Sequence, residues 1–527
     1  MKKKNLKLAS LLLAVAMLLS LTACGGSGAA TSAQPTASSE AEATSYADQI
    51  IIGTLADPTY IDPNAPGVGP AEINVTQQIY EGLVCTGSDG SIEPLLATDW
   101  TISDDGLTYT FNLEQGIKFS DGTAVTGDDW VWSFYRARDY ETSNYRFIAE
   151  AIDTVEATDS QVTVKLKYAW APFLADLCNF NMVVGSKAHW EAVGDEAYMN
   201  DPLGTGPYMV KEWNRGQSLV LEANPYYHEE GYPKTKEIKY VVVADDNTRL
   251  LQLQSGQIDV VGDLPFSMVS VVKADTNLKL DVFPSTQIRY FILNTTQAPF
   301  DDVKVRQALL YAIDKNELAT VVAGEYGKAV SALVSDTQGK WSNSSLPVSE
   351  YNAETAKKML ADAGYTEPVK FTISIRSGSA VYEQIATLIK SQADKAGFEV
   401  TIEQLEKAAL TDKYSSLSHQ ATLLQWVDDI QDPSGVTGWT VDYDQCDAWY
   451  TGLQDQELDD LNTAASMELD EAKRIEMYQE IQQSIYDNAN VIPLFSNGFA
   501  YASSTKVQNL YVSPFYVYKA KDWVKTK

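Results

Sequence analysis

Between Leu107 and Leu113 apolar and polar side chains alternate, with Leu107, Tyr109, Phe111 and Leu113 set against Thr108, Thr110 and Asn112. A period of two places each set on one face of an extended chain. The segment is therefore predicted to be a half-buried strand, entered through the tight-turn run Asp104-Asp105-Gly106. A second strand is predicted around Ile117 and Phe119, closed by Asp121-Gly122. Thr126 with Asp129 three residues later has the form of a capping box and opens a helix through Trp132, Phe134 and Tyr135.

Further along the period lengthens to that of helices. After Asp301 and Asp302, the residues Val305, Ala308, Leu309, Ala312 and Ile313 recur on one face of a helix. Asn352 is placed as the N-cap of a helix reaching Ala363, with Gly364 as its stop. A helix over Val381 to Ala396, stopped by Gly397, leads into a strand from Phe398 to Leu405. The run from Gln456 to Ala489 is mostly helical, and Val491 to Phe495 reads as a buried strand. The chain is mixed α/β throughout, with no internal repeat and no low-complexity stretch after residue 45.

The first 45 residues follow other rules. Lys2, Lys3, Lys4 and Lys7 form a basic head, and Leu8 to Leu21 an apolar run of about 14 residues, short of the roughly 20 that span a bilayer. Leu21-Thr22-Ala23-Cys24 matches the bacterial lipobox, in which cleavage before the Cys leaves a thiol that carries a diacylglycerol. Residues 1 to 23 are thus expected to be a signal peptide. Cys24 is the expected lipid attachment site, and the Gly, Ala, Ser and Thr-rich residues to 45 a flexible tether. No later apolar run approaches membrane length, so an extracytoplasmic body held at the outer face of the cytoplasmic membrane is expected.

At 527 residues the chain is long enough for two or three lobes with their own cores. Its 40 basic against 71 acidic residues give a net charge of -31; removing residues 1 to 23 takes four Lys and no acid, leaving 36 against 71, or -35. A phosphate backbone requires clustered cations, so nucleic acid is excluded as a partner. Cys85, Cys178 and Cys446 stand at wide spacings, leaving open one disulfide plus a free thiol. His189, His228 and His419 are too scattered to suggest a metal cluster and read as surface or core residues. No nucleotide-binding loop, nucleophile elbow or metalloprotease helix occurs, so neither enzyme chemistry nor a cofactor or metal is expected.

Four ordered blocks resemble the extracellular solute-binding lipoproteins of peptide ABC importers. They are Leu96 to Trp100 with Asp104 to Phe111 and Phe119 to Thr123; Gly204 to Tyr208 with Asn224 to Tyr227 and Leu250 to Asp259; Asn294-Thr295 with Pro299 to Asp302, then Val305 to Ala308 and Tyr311 to Asp314; and Leu424-Gln425-Trp426 with Asp429, Asp432 and Pro433. The resemblance implies a two-lobed, type II periplasmic-binding-protein-like fold with a hinge and a central cleft. Residues 46–290 and 497–527 would form the first lobe, with an extra subdomain at about 90–205, and residues 291–496 the second. It implies a monomer that captures short peptides and passes them to permease subunits. An oligosaccharide, opine or metal chelate is the alternative solute within the same fold.

In the family a carboxylate three residues after a Trp receives the peptide amine, which here gives Asp429 after Trp426. A turn Asp within the acidic run Asp428, Asp429, Asp432 is the alternative. The backbones of Gln425 and Val427 would pair with an extended ligand. Gln425 replaces the usual Gly, and Tyr145 lies where the family places a Tyr against the ligand backbone. The Arg residues that longer-peptide binders carry before the Trp are Leu423 and Tyr414 here. Arg376, in the loop Ile375-Arg376-Ser377-Gly378, resembles the Arg that dipeptide binders present to the carboxylate, or stands as a solvated loop Arg.

Overall fold

The computed structural model describes residues 45–527 except 88, 89 and 144. The signal segment, Cys24 and the tether as far as residue 44 lie outside the described residues. No helix among the described residues is long and apolar enough to cross a membrane.

Two mixed sheets organise the body. The first has seven strands in the order Leu278–Phe283, Phe499–Ser504, Val260–Val261, Gln49–Thr54, Glu237–Val242, Ser218–Ala223 and Tyr208–Asn214. The second has six, in the order Gly327–Ala329, Val491–Asn497, Ile288–Leu293, Ala421–Trp426, Val369–Arg376 and Phe398–Leu405. Each carries its own core. In the second, Phe291, Leu293, Phe371, Ile373 and Phe398 of the sheet meet Val305, Ala308, Leu309, Ile385 and Ile389 of two helices, all nearly inaccessible. A separate four-stranded sheet, Ala97–Ile102, Thr108–Leu113, Gln161–Leu166 and Ile152–Thr158 in spatial order, has its own buried cluster around Phe111, Phe119, Trp130 and Phe134.

Local signals place most of these elements. The alternating segment forms Thr108–Leu113, with Tyr109 and Phe111 inward. The capping box opens Gly127–Asp139: Thr126 N–H donates to Asp129 Oδ2 at 2.9 Å while Asp129 N–H donates to Thr126 Oγ1 at 3.4 Å. Asp302 caps Val303–Ala312 through Lys304 N–H, and Asn352 caps Ala353–Asp362 through Thr355 N–H, both at 2.9 Å. The acidic helical run is two helices, Gln456–Met467 and Glu471–Asn488, parted where Asp470 caps the second.

The second strand expected at Ile117 and Phe119 is instead a tight loop. Phe119 N–H donates to the Thr123 carbonyl at 2.9 Å and Gly122 N–H returns to Phe119, which leaves only an isolated bridge between Lys118 and Ala124. Both apolar side chains are still buried, so the alternation reports burial without a ladder.

The two large sheets are joined where strand runs into strand. Leu278–Phe283 of the first is followed after four residues by Ile288–Leu293 of the second, and Val491–Asn497 of the second after one residue by Phe499–Ser504 of the first. The crossings are tied together. Ser285 Oγ donates to the Asn497 carbonyl, and Asn497 Nδ2 donates to Gln287 Oε1 at 2.8 Å. Gly498 lies between them, where a Cβ would sit 2.4 Å from the Phe283 carbonyl oxygen. Backbone cannot yield as a side-chain tip can. Gly498→Ala is therefore expected to lower the unfolding free energy by about 1–3 kcal/mol, the usual scale of overpacking. Urea denaturation reads it, and an unchanged midpoint would show that the crossing has slack.

Candidate ligand-binding cleft

Three acids follow the strand Ala421–Trp426, and the structure separates them by what they touch. Asp428 is buried. It accepts from Trp426 Nε1 at 3.0 Å and from Gln338 Nε2, and its own N–H donates to Thr286 Oγ1 at 2.9 Å. Asp432 is buried in a two-oxygen pair with Arg474 Nη2, both contacts at 3.0 Å, and it accepts from Ser434 N–H. Asp429 is half-buried, and among the described residues its carboxylate has neither a cation nor a hydrogen-bond donor.

Burial pushes the Asp429 carboxyl up to about 7. Asp428 goes up to about 8, chiefly by burial, against the lowering effect of the Trp426 and Gln338 bonds and with the Asp429 charge adding to the rise. Tyr145 approaches Asp429 from the four-stranded subdomain: its hydroxyl is raised first by burial and then by the Asp429 charge. Asn181 Nδ2 holds the Tyr145 carbonyl at 3.2 Å, and Phe180 meets the Tyr145 ring edge-on at 4.6 Å. Trp426 packs on Trp439 at 5.7 Å, and Trp439 on Phe147 of the subdomain at the same distance.

Gln425 and Trp426 sit at the end of a strand whose two edges differ. One edge pairs fully with Ile288–Leu293, Arg289 facing Gln425 and Ile288 facing Trp426. On the other, pairing with Val369–Arg376 covers only Ala421 and Thr422, so among the described residues the edge from Leu423 onward has no strand beside it. The Gln425 side chain is exposed, and Val427 packs against the first sheet's core, as Tyr516 does.

Tyr516 also borders a cavity of about 620 Å³ between the two large sheets. Asp57, Asp263 and Tyr501 line it from the first sheet's side, Arg376 and Lys407 from the second's. The acids are tied down: Asp57 accepts from Trp213 Nε1 at 3.0 Å and Gly216 N–H at 2.9 Å, and Asp263 from the Tyr516 hydroxyl. The exposed cations Arg376 and Lys407 have no ion pair among the described residues. Arg289, not singled out from the sequence, lies close by. Burial lowers its pKa, its Nε lacks a partner, and both it and Arg376 act on the Tyr382 hydroxyl. Nothing in the local sequence marks Arg289 or Lys407, because the strand and helix that present them are far apart in the chain.

The chain belongs to the bacterial extracellular solute-binding proteins, family 5, whose model matches residues 91–445. It has the two-lobed type II fold of that class. It is 26% identical over 483 residues to the probable D,D-dipeptide-binding periplasmic protein DdpA of Escherichia coli K12, covering 89% of this chain and 92% of that one. Among solved structures it resembles the binding protein DppA of Helicobacter pylori in complex with the peptide STSA (TM-score 0.79, 24% identity, 92% of this chain and 99% of that one). It also resembles the ABC transporter substrate-binding protein CtaP of Listeria monocytogenes (TM-score 0.83, 23% identity, 92% and 100%).

An unpaired carboxylate raised by burial costs stability. The folded Asp429 value of about 7 lies above the unfolded value of about 3.9, so its favourable contribution is present at low pH and lost as pH rises from about 4 through 7. Asp429→Asn is therefore expected to raise the thermal midpoint of the ligand-free protein by about 1–3 °C at pH 8, with the gain gone near pH 4. A turn Asp would give the opposite: a lower midpoint in scanning calorimetry at pH 8.

Proposed function

We propose that this solute-binding protein captures short peptides in the cleft and delivers them to the permease of an ABC importer. The observation that carries the reading is Asp429. A half-buried carboxylate with no cation among the described residues is complementary to an incoming ammonium group, and each offsets part of the other's desolvation cost. Tyr145 stands against the ligand backbone beside the amine. The open strand edge at Gln425, Trp426 and Val427 supplies main-chain pairing, which gives affinity without reading side chains. Arg376 takes the carboxylate end, with Lys407 and Arg289 as further cations on the same side of the cleft. The names of the relatives, a D,D-dipeptide binder and a protein complexed with STSA, support a peptide ligand.

On this reading the protein is a monomer with no catalytic step. Its signal segment is removed, and the diacylglyceryl group on Cys24 tethers it outside the cytoplasmic membrane. The lobes are about residues 46–290 with 497–527, including the subdomain at about 90–205, and about 291–496, with the chain exchanging sheets at 284–287 and at Gly498. The strand Phe499–Ser504, lying in the first sheet, supports that return.

Calorimetry with paired ligands tests the amine anchor. Asp429→Ala is expected to weaken a free-amine peptide by about 2–5 kcal/mol, the cost of removing one partner of a buried charge pair, while an N-acetylated peptide binds both proteins equally. Equal affinity of the free-amine peptide for both proteins would overturn the assignment.

A further inference from the structure

Away from the cleft, Glu81 meets a run of three side chains from a distant loop. It follows the helix Pro70–Ile79, while Tyr227, His228 and Glu229 come after the strand Ser218–Ala223. His228 Nε2 and the Tyr227 hydroxyl both lie 3.2 Å from Glu81 Oε1, and the same hydroxyl lies 2.9 Å from Glu229 Oε1. Ligand atoms of Glu81, His228 and Glu229 fall within 4.8 Å of one another. Glu81 is 6% exposed, and its second oxygen, Oε2, is buried without a partner among the described residues.

We propose that Glu81, His228 and Glu229 form a binding site for a divalent transition-metal ion, with the Tyr227 hydroxyl or a water as fourth ligand. Zinc bonds to imidazole nitrogen and carboxylate oxygen are about 2.0–2.2 Å long, so tetrahedral ligand atoms stand about 3.3–3.6 Å apart. The 3.2 Å separation between Glu81 and His228 needs only a small expansion to admit an ion. One imidazole with two carboxylates suits zinc and its neighbours, whereas calcium takes six to eight oxygens. Charge also closes: two carboxylates and a neutral imidazole balance a divalent cation.

Without metal, a different cation serves. Lys521 pairs with Glu229 and lies 3.2 Å from the Tyr227 hydroxyl, with its side chain 12% exposed. Metal entry therefore displaces the Lys521 ammonium, and Lys521 is the competitor whose removal should favour the ion.

Equilibrium dialysis of the EDTA-stripped protein against Zn²⁺ at pH 7.5 tests this. One Zn²⁺ per chain is expected. His228→Ala and Glu229→Gln should each weaken it about tenfold or more, since even the loss of a residue supporting a ligand costs on that scale. Lys521→Met should tighten it severalfold, and excess Ca²⁺ should not compete. Absence of zinc from both the unaltered protein and Lys521→Met, zinc retained equally by both ligand variants, or displacement by Ca²⁺ would each overturn the site. Peptide binding by the variants, read in parallel, separates loss of ligands from loss of fold.

Discussion

Withdrawing a carboxylate even partly from water without a compensating cation costs free energy, and the cost persists where the surroundings supply no partner. Around Asp429 those surroundings are specific. Trp426 Nε1 and Gln338 are engaged by the neighbouring Asp428. The Arg474 guanidinium is taken by Asp432. Two of the three clustered acids thus engage these donors, and the third, Asp429, has none among the described residues.

This arrangement depends on the halves of the molecule being held together. The Ala171 N–H of the subdomain donates to the Ser466 carbonyl at 2.8 Å, and Phe147 meets Trp439 across the same boundary. Asp176 of the subdomain is buried, which raises its pKa. Trp170 Nε1 binds it at 2.7 Å and opposes the rise, the Asp432 charge adds to it, and Arg474 relieves it. Across this boundary Tyr145 comes within electrostatic reach of Asp429, and the strand crossings between the two large sheets are tied at Ser285, Asn497 and Gly498.

Much of the architecture was legible because its causes are local. The alternation at Tyr109 and Phe111, the caps at Thr126, Asp302 and Asn352 and the stop at Gly397 each act within a few residues. Where burial and pairing part company, as at Ile117 and Phe119, pattern alone misassigned the element. The family's Trp-to-Asp spacing singled out Asp429, but no local pattern distinguishes it from Asp428. That distinction rests on Gln338, 90 residues away, and Thr286, 142 away. Lys407 reaches the cleft, and Arg289 comes near Arg376 across Tyr382, through pairing and packing between distant segments. His228 read as an isolated histidine because Glu81 stands 147 residues before it.

The central claim is that the Asp429 carboxyl, pushed up to about 7 by burial, is converted to a carboxylate by an incoming ammonium. Calorimetric titration of a free-amine peptide at pH 6.5, repeated in buffers of different ionisation enthalpy, counts the protons exchanged on binding. A group titrating near 7 is about three-quarters protonated at that pH, so about three-quarters of a proton should be released per peptide bound, and none by Asp429→Asn. Binding without proton release, or the same release from the variant, would contradict the account.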